Sequence, residues 1–163
     1  MSKSIKTNAL RLLDRDHIFY KIIEYQYDED HLSGSHIINQ VDMKAEDIYK
    51  TLVLVSDKKE YLVCCIPVLE IIDLKKLALL SHHKKVEMIP MKDLLKITGY
   101  MRGGCSPIGM KKKFPIYFDS SILKDRPIAL SAGKRGYQMV VSALEILDYV
   151  EGICGEVTRN EED

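Results

Sequence analysis

Thr51-Leu-Val-Leu-Val-Ser56 and Glu60-Tyr-Leu-Val-Cys-Cys-Ile-Pro67, joined by Asp57-Lys58-Lys59, decide the fold of this chain. Two β-branched, apolar runs separated by a short polar break predict a β-hairpin. Neither run alternates with polar residues, so both of its faces must be covered, and the pair belongs in the middle of a sheet. Upstream, Ala45 to Ile48 reads as a helical turn leading into Tyr49-Lys50. Before it, Asp28 to Asp30 and Ser33-Gly34-Ser35 read as loop, and Ser35 can cap a short helix carrying Ile37, Ile38 and Val41. His17 to Tyr25 alternates as a strand, with Ile18, Tyr20 and Ile22 on one face and Phe19 and Ile23 on the other. Ser4 can cap a first helix bearing Ile5, Ala9, Leu10, Leu12 and Leu13, ending near Asp14. Downstream, Asp73 caps a helix with Leu74, Leu77, Ala78 and Leu80 inward and Lys75, Lys76 and His82 outward. A strand at Val86 to Ile89 and a short helix from Met91 to Ile97 follow, the latter stopped by Gly99. Further strands fall around Pro115 to Phe118, Ile128 to Ser131 and Tyr137 to Val141. A last helix starts at Ser142, with Glu145 completing a capping box. Without a regular βαβ alternation, this order predicts an α+β domain with a mixed or antiparallel, partly closed sheet. One domain is expected over residues 1–158, with an acidic, frayed end at 159–163.

Composition narrows the function. The 163 residues carry 24 basic and 24 acidic side chains, so no global field draws in a polyanion and any nucleic-acid contact must come from a local patch. No charged-then-apolar leader opens the chain, and its longest apolar runs are far too short to span a bilayer; a cytoplasmic protein is expected. Cys64, Cys65, Cys105 and Cys154 lack zinc-site spacing and the density of a secreted disulfide scaffold, which predicts reduced, mostly buried thiols. His17, His31, His36, His82 and His83 are scattered, with no His-Glu-x-x-His, so neither a metal nor a cofactor is expected.

The chemistry concentrates in two glycine loops. One is Thr98-Gly-Tyr-Met-Arg-Gly-Gly-Cys-Ser-Pro-Ile-Gly109, and the other, expected to stand opposite, is Ser131-Ala-Gly-Lys-Arg-Gly136. Glycine permits φ > 0 and lets main-chain N–H groups approach a ligand, while Pro107 stiffens its turn. Arg102, Lys111, Lys112, Lys113, Lys134 and Arg135 flank both. No Walker loop, dinucleotide fingerprint or Gly-x-Ser-x-Gly elbow occurs, and Ser106 is a poor nucleophile candidate. Cys105 sits among cations and backbone N–H groups that would lower a thiol's pKa, but no base accompanies it, so a small apolar filler is the preferred reading.

Several segments in this order together resemble the YbaK/EbsC aminoacyl-tRNA deacylases, whose domain also occurs as the editing insertion of bacterial prolyl-tRNA synthetases. These are Tyr49-Lys-Thr-Leu-Val-Leu54, Leu74-Lys-Lys76, Lys85-Val-Glu-Met88 and the two glycine loops. The resemblance implies a compact α+β fold around a mixed, barrel-like sheet with flanking helices. It also implies an enzyme that clears a wrongly attached small amino acid, cysteine or alanine, from proline tRNA in trans, with prolyl-tRNA synthetase as partner. The family's essential lysine falls on Lys50, its cleft tyrosine on Tyr25 and a loop glycine on Gly34. Its glycine-loop residues fall on Gly103, Gly104, Ser106, Pro107 and Gly109, with Cys105 replacing a residue usually aliphatic or β-branched. Its opposing loop falls on Ser131, Gly133, Lys134, Arg135 and Gly136. Some members carry an aspartate where this chain has Gln138.

On this reading backbone N–H groups near Gly103 and Gly104, with Lys50, stabilise the reacting ester, and the nucleophile is the substrate's own thiol or water. Arg102, Lys111, Lys112, Lys113 and Lys134 then contact acceptor-stem phosphates. Two other readings compete: a non-catalytic module binding tRNA ends or a synthetase, and a Cys105-dependent hydrolase of small esters or thioesters.

Overall fold

The computed structural model describes residues 5–27 and 40–159. In chain order its elements are α1 (Asn8–Arg15), β1 (Lys21–Glu24), β2 (Tyr49–Ser56), β3 (Tyr61–Pro67), β4 (Ile71–Ile72), α2 (Leu74–Leu80), β5 (Val86–Met88), α3 (Leu94–Thr98), β6 (Ile116–Asp119), β7 (Pro127–Ser131), β8 (Tyr137–Ser142), α4 (Ala143–Tyr149), β9 (Ile153–Gly155) and β10 (Thr158–Arg159). Gly34, His31, His36, the helix expected at Ile37 and Ile38, the Ser4 cap and residues 160–163 lie outside the described residues.

The hairpin forms as its apolar pattern requires, pairing antiparallel from Tyr49↔Pro67 to Val55↔Tyr61. It occupies the interior of a five-stranded sheet ordered β5-β2-β3-β6-β9, in which β3–β6 and β6–β9 are parallel. A second, antiparallel sheet runs β1-β8-β7, and β4 pairs with β10. The architecture is therefore mixed α+β. No closed barrel is formed among the described residues; the two larger sheets meet at one isolated parallel bridge, Ile48↔Ala129. One core packs Leu10 and Leu13 of α1 and Ile146 of α4 against Phe118, Ile128, Leu130 and Met139. A second buries Leu54, Leu62, Cys64 and Ile66 under Leu77 and Ala78 of α2. No described helix is long and apolar enough to cross a membrane.

Four expectations need correcting. Helix α1 begins later than predicted, because Thr7 is its cap: the Thr7 hydroxyl accepts the Leu10 N–H and donates to the Ala132 carbonyl, so the helix start is set by a contact 125 residues away. The strand expected over His17 to Tyr25 is only β1, since His17 turns the chain at φ 58°. There Ile23 packs while Ile22 is 37% exposed, because β1 is an edge strand paired with β8 alone. Leu74 is also 37% exposed, as it occupies the first turn of α2, next to the Asp73 cap. The short strands β4, β9 and β10 carry too few residues for a pattern; Arg159, expected to fray, pairs with Ile71.

Candidate active site

The first loop leaves α3 at Gly99, whose φ of 86° ends the helix. Tyr100 is buried beneath the loop, its hydroxyl donating to the Ile108 carbonyl and its N–H to the Thr98 hydroxyl. Gly104 donates its N–H to Met101 O at 2.9 Å, closing a turn through Gly103, which has φ 86°. A Cβ on Gly104 would lie 3.0 Å from Arg135 N and 3.2 Å from Lys134 Cα, so this glycine is where the two loops touch. Arg135 Nε adds a hydrogen bond to Arg102 O at 2.6 Å.

The second loop joins β7 to β8. Ser131 Oγ accepts the Gly133 N–H at 3.1 Å, and Ala132 N–H donates to Tyr137 O. The carbonyl of Gly136 accepts the Tyr25 N–H at 2.9 Å, and the Tyr25 hydroxyl reaches Gly103 O through a long contact of 3.5 Å. Tyr25, half-buried at the end of β1, thus ties both loops together. Gly104's N–H is consumed by its own turn. The N–H groups of Gly103, Lys134, Arg135 and Gly136 have no partner among the described residues, so they are the donors a reacting oxyanion could use.

Lys50 enters through the bridge between the sheets. Ile48 stands beside Ala129 in an isolated parallel bridge, and alternation along each strand puts Lys50 on the side of Ile48 and Ser131 on the side of Ala129. Ser131 pairs with Gln138, and Gln138 with Ile23, so these three share one face with Lys50 and with Tyr25 two residues on. Lys50 is half-buried and makes no hydrogen bond or ion pair among the described residues. Burial alone lowers its pKa from the ordinary lysine value. An unpaired ammonium in that position can bind a carbonyl oxygen or stabilise negative charge.

The remaining expected site residues make other local contacts. Ser106 is fully buried, and its hydroxyl caps the local turn by accepting the Ile108 N–H. Cys105 packs against the Val53, Ile89 and Leu94 cluster, and burial pushes its thiol up to about 12, opposite to the activation its cationic neighbours suggested. Gly109 is required because α1 passes against it: a Cβ there would meet Ala9 N at 2.9 Å. Pro107, Gly109, Lys112 and Lys113 border a separate cavity of ≈ 370 Å³ between α1 and α4, lined by none of Tyr25, Lys50, Gly103 or Gly104. Lys113 there pairs with exposed Glu151 at 3.4 Å. Gly133 packs on Tyr100 and Thr7, and the stem of Lys111 covers Gly99. Lys134 holds its ammonium 5.6 Å from the Tyr137 ring centroid, while Arg102 is exposed with no ion pair among the described residues. No group of three or more His, Cys, Asp or Glu able to hold a metal occurs among the described residues. Sequence reasoning missed Tyr100 and Thr7, whose supporting roles have no local signature. It noted Gln138 only as a departure from a family pattern, although a polar residue inside the run Tyr137 to Val141 was a visible signal.

Residues 36–149 match the aminoacyl-tRNA editing domain, and the chain belongs to that family. It is 44% identical over 156 residues, 96% of this chain and 95% of the other, to EbsC of Enterococcus faecalis, a protein assigned as a Cys-tRNA(Pro)/Cys-tRNA(Cys) deacylase. Two crystal structures share the fold. The hypothetical protein APE2540 superposes with a TM-score of 0.85 at 14% identity, covering 94% of this chain and all of its own. A protein assigned as a trans-editing enzyme for prolyl-tRNA synthetase does so at 0.79 and 19% identity, covering 96% of this chain and all of its own.

Proposed function

We propose that this protein is a trans-editing deacylase that removes a mischarged small amino acid, cysteine foremost and alanine second, from proline tRNA. The observation that carries the proposal is the convergence of two glycine loops at Gly104 and Tyr25, on the sheet face that also holds the unpaired Lys50. Family membership and the name of the 44% identical relative point the same way. On this reading the sheet is partly closed and barrel-like with the site along its seam, a reading supported by the isolated bridge between Ile48 and Ala129.

An aminoacyl ester is already activated, so catalysis needs chiefly positioning and stabilisation of developing negative charge. Lys50 holds the ester carbonyl oxygen, and free N–H groups at Gly103 and residues 134–136 receive the oxyanion. With a cysteinyl ester, the substrate sulfur bonds to its own carbonyl carbon, the ester C–O bond breaks, and the thiol proton passes to the departing ribose oxygen. With an alanyl ester, water attacks instead. Tyr25 contacts the terminal nucleoside and Arg102, Lys111 and Lys134 the acceptor phosphates. The need for such an enzyme follows from magnitudes: a proline pocket discriminates by only roughly 1–3 kcal/mol per methylene. Such an enzyme works in the cytoplasm with prolyl-tRNA synthetase as partner.

The test is a panel of purified Cys-tRNA(Pro), Ala-tRNA(Pro) and correctly charged Pro-tRNA(Pro), with and without prolyl-tRNA synthetase, following ester loss. Loss of the cysteinyl ester, abolished in Lys50→Ala, supports the proposal. Binding without turnover would leave a module for tRNA ends, and full activity in Lys50→Ala would refute the assigned site.

A further inference from the structure

Gln138 is 3% exposed, and its Oε1 is the one buried side-chain oxygen or nitrogen without a hydrogen-bond partner among the described residues. Leaving a buried acceptor unpaired is costly, and methionine or leucine would fill the same place in β8 without that cost. The strand is held on both sides, by Ser131 of β7 and Ile23 of β1, which limits how far the side chain can move to find a partner. Among the described residues no donor bonds it: the Tyr25 hydroxyl is directed at Gly103 O, the Ser131 hydroxyl accepts the Gly133 N–H, and Lys50 makes no bond to the amide. An acceptor left open in this way is suited to a donor carried by a ligand on the face shared by Lys50, Ser131 and Tyr25.

Resting on the deacylase reading above, we infer that Gln138 Oε1 accepts a hydrogen bond from the α-amino group of the esterified amino acid. The carbonyl and ester oxygens of the substrate are acceptors only, and they belong to Lys50 and the loop N–H groups. The donors left are the α-amino group, the ribose hydroxyl, the adenine amine and the cysteinyl thiol, a weak donor that must stay free to attack the carbonyl. Gln138 is almost wholly buried whereas Tyr25 is half-exposed, and the tRNA must stay outside, so the aminoacyl group enters deepest. Gln138 thereby recognises the substrate as an amino acid and turns its carbonyl toward Lys50. An amide does this without adding charge beside the lysine.

The probes are 3′-cysteinylamino-adenosine, a non-hydrolysable amide, and its counterpart lacking the α-amino group, with binding measured by calorimetry. The cysteinyl- and 3-mercaptopropionyl-tRNA(Pro) esters are compared in parallel for turnover. Wild type should bind the amino compound about 10- to 100-fold more tightly than the desamino compound. Gln138→Met should lose that preference, binding the desamino compound within about threefold of wild type, and should melt no lower than wild type. Equal affinity of wild type for both compounds would overturn the inference, even if no variant folds. So would an equal loss on both compounds in Gln138→Met, the result expected if the amide meets the ribose or only a structural water. Amino-dependent binding with no turnover of either ester would sink the deacylase reading while sustaining Gln138's role. Binding of neither compound would overturn both.

Discussion

Lys50 pays for its position in stability. Burial depresses its folded-state pKa below the ordinary 10.5, so between the two values the unfolded chain binds more protons. Stability therefore rises with pH across that window, and below it the desolvation penalty is fully present. Lys50→Met should lose at least about 100-fold in deacylation while melting no lower than wild type at neutral pH. In urea titrations the stability difference between variant and wild type should shrink as pH climbs toward 10.5; a variant less stable at every pH would contradict the unpaired ammonium. Cys105 makes the opposite case. Its thiol, raised to about 12, is almost wholly un-ionised at neutral pH. Cys105→Ala should keep activity within about threefold and cost about 1 kcal/mol from lost packing, read by kinetics and denaturant unfolding. Loss of activity in a folded variant would restore the thiol nucleophile.

The two loops work as one element because a glycine lies between their backbones. Gly104→Ala forces the loops apart, since the atoms its Cβ would meet are main-chain atoms of Lys134 and Arg135 that cannot rotate away. Small displacements of positioning groups are expensive, so we expect about 100-fold loss of deacylation with a stability loss of about 1–3 kcal/mol. Unchanged kinetics would show that loop contact is irrelevant to the chemistry. The cap of α1 separates structure from function. Thr7→Ala removes both the cap and the tie to Ala132, and should cost about 1–2 kcal/mol with activity nearly intact. Thr7→Ser, which keeps the hydroxyl, should recover most of that stability in thermal unfolding.

A neutral chain that binds tRNA must do so through local charge. Arg102 and Lys111 flank the loop that Tyr25 clamps, whereas Lys113 pairs with Glu151 beside the separate cavity. Replacing Arg102 and Lys111 together should therefore lower the slope of log affinity against log salt by about 1.4–1.8, while Lys113→Ala should change it by less than about 0.5. Equal effects in filter-binding titrations would mean that the acceptor stem spans both regions. The whole molecule also shows where local reading ends. Short-range chemistry sets the central hairpin, the Asp73 and Ser142 caps, the Gly99 stop and the mixed α+β class, because alternation, capping and φ preferences act within a few residues. The same chemistry marked both glycine loops as candidates, whereas Lys50 was a candidate only through the family resemblance. Only the tertiary structure decided that Thr7 is tied to the core through Ala132, that Ser106 is buried while Pro107 and Gly109 line another cavity, and that Gln138 Oε1 has no partner among the described residues. Each of those outcomes depends on burial and on strands far apart in the chain being set side by side, which no local pattern encodes.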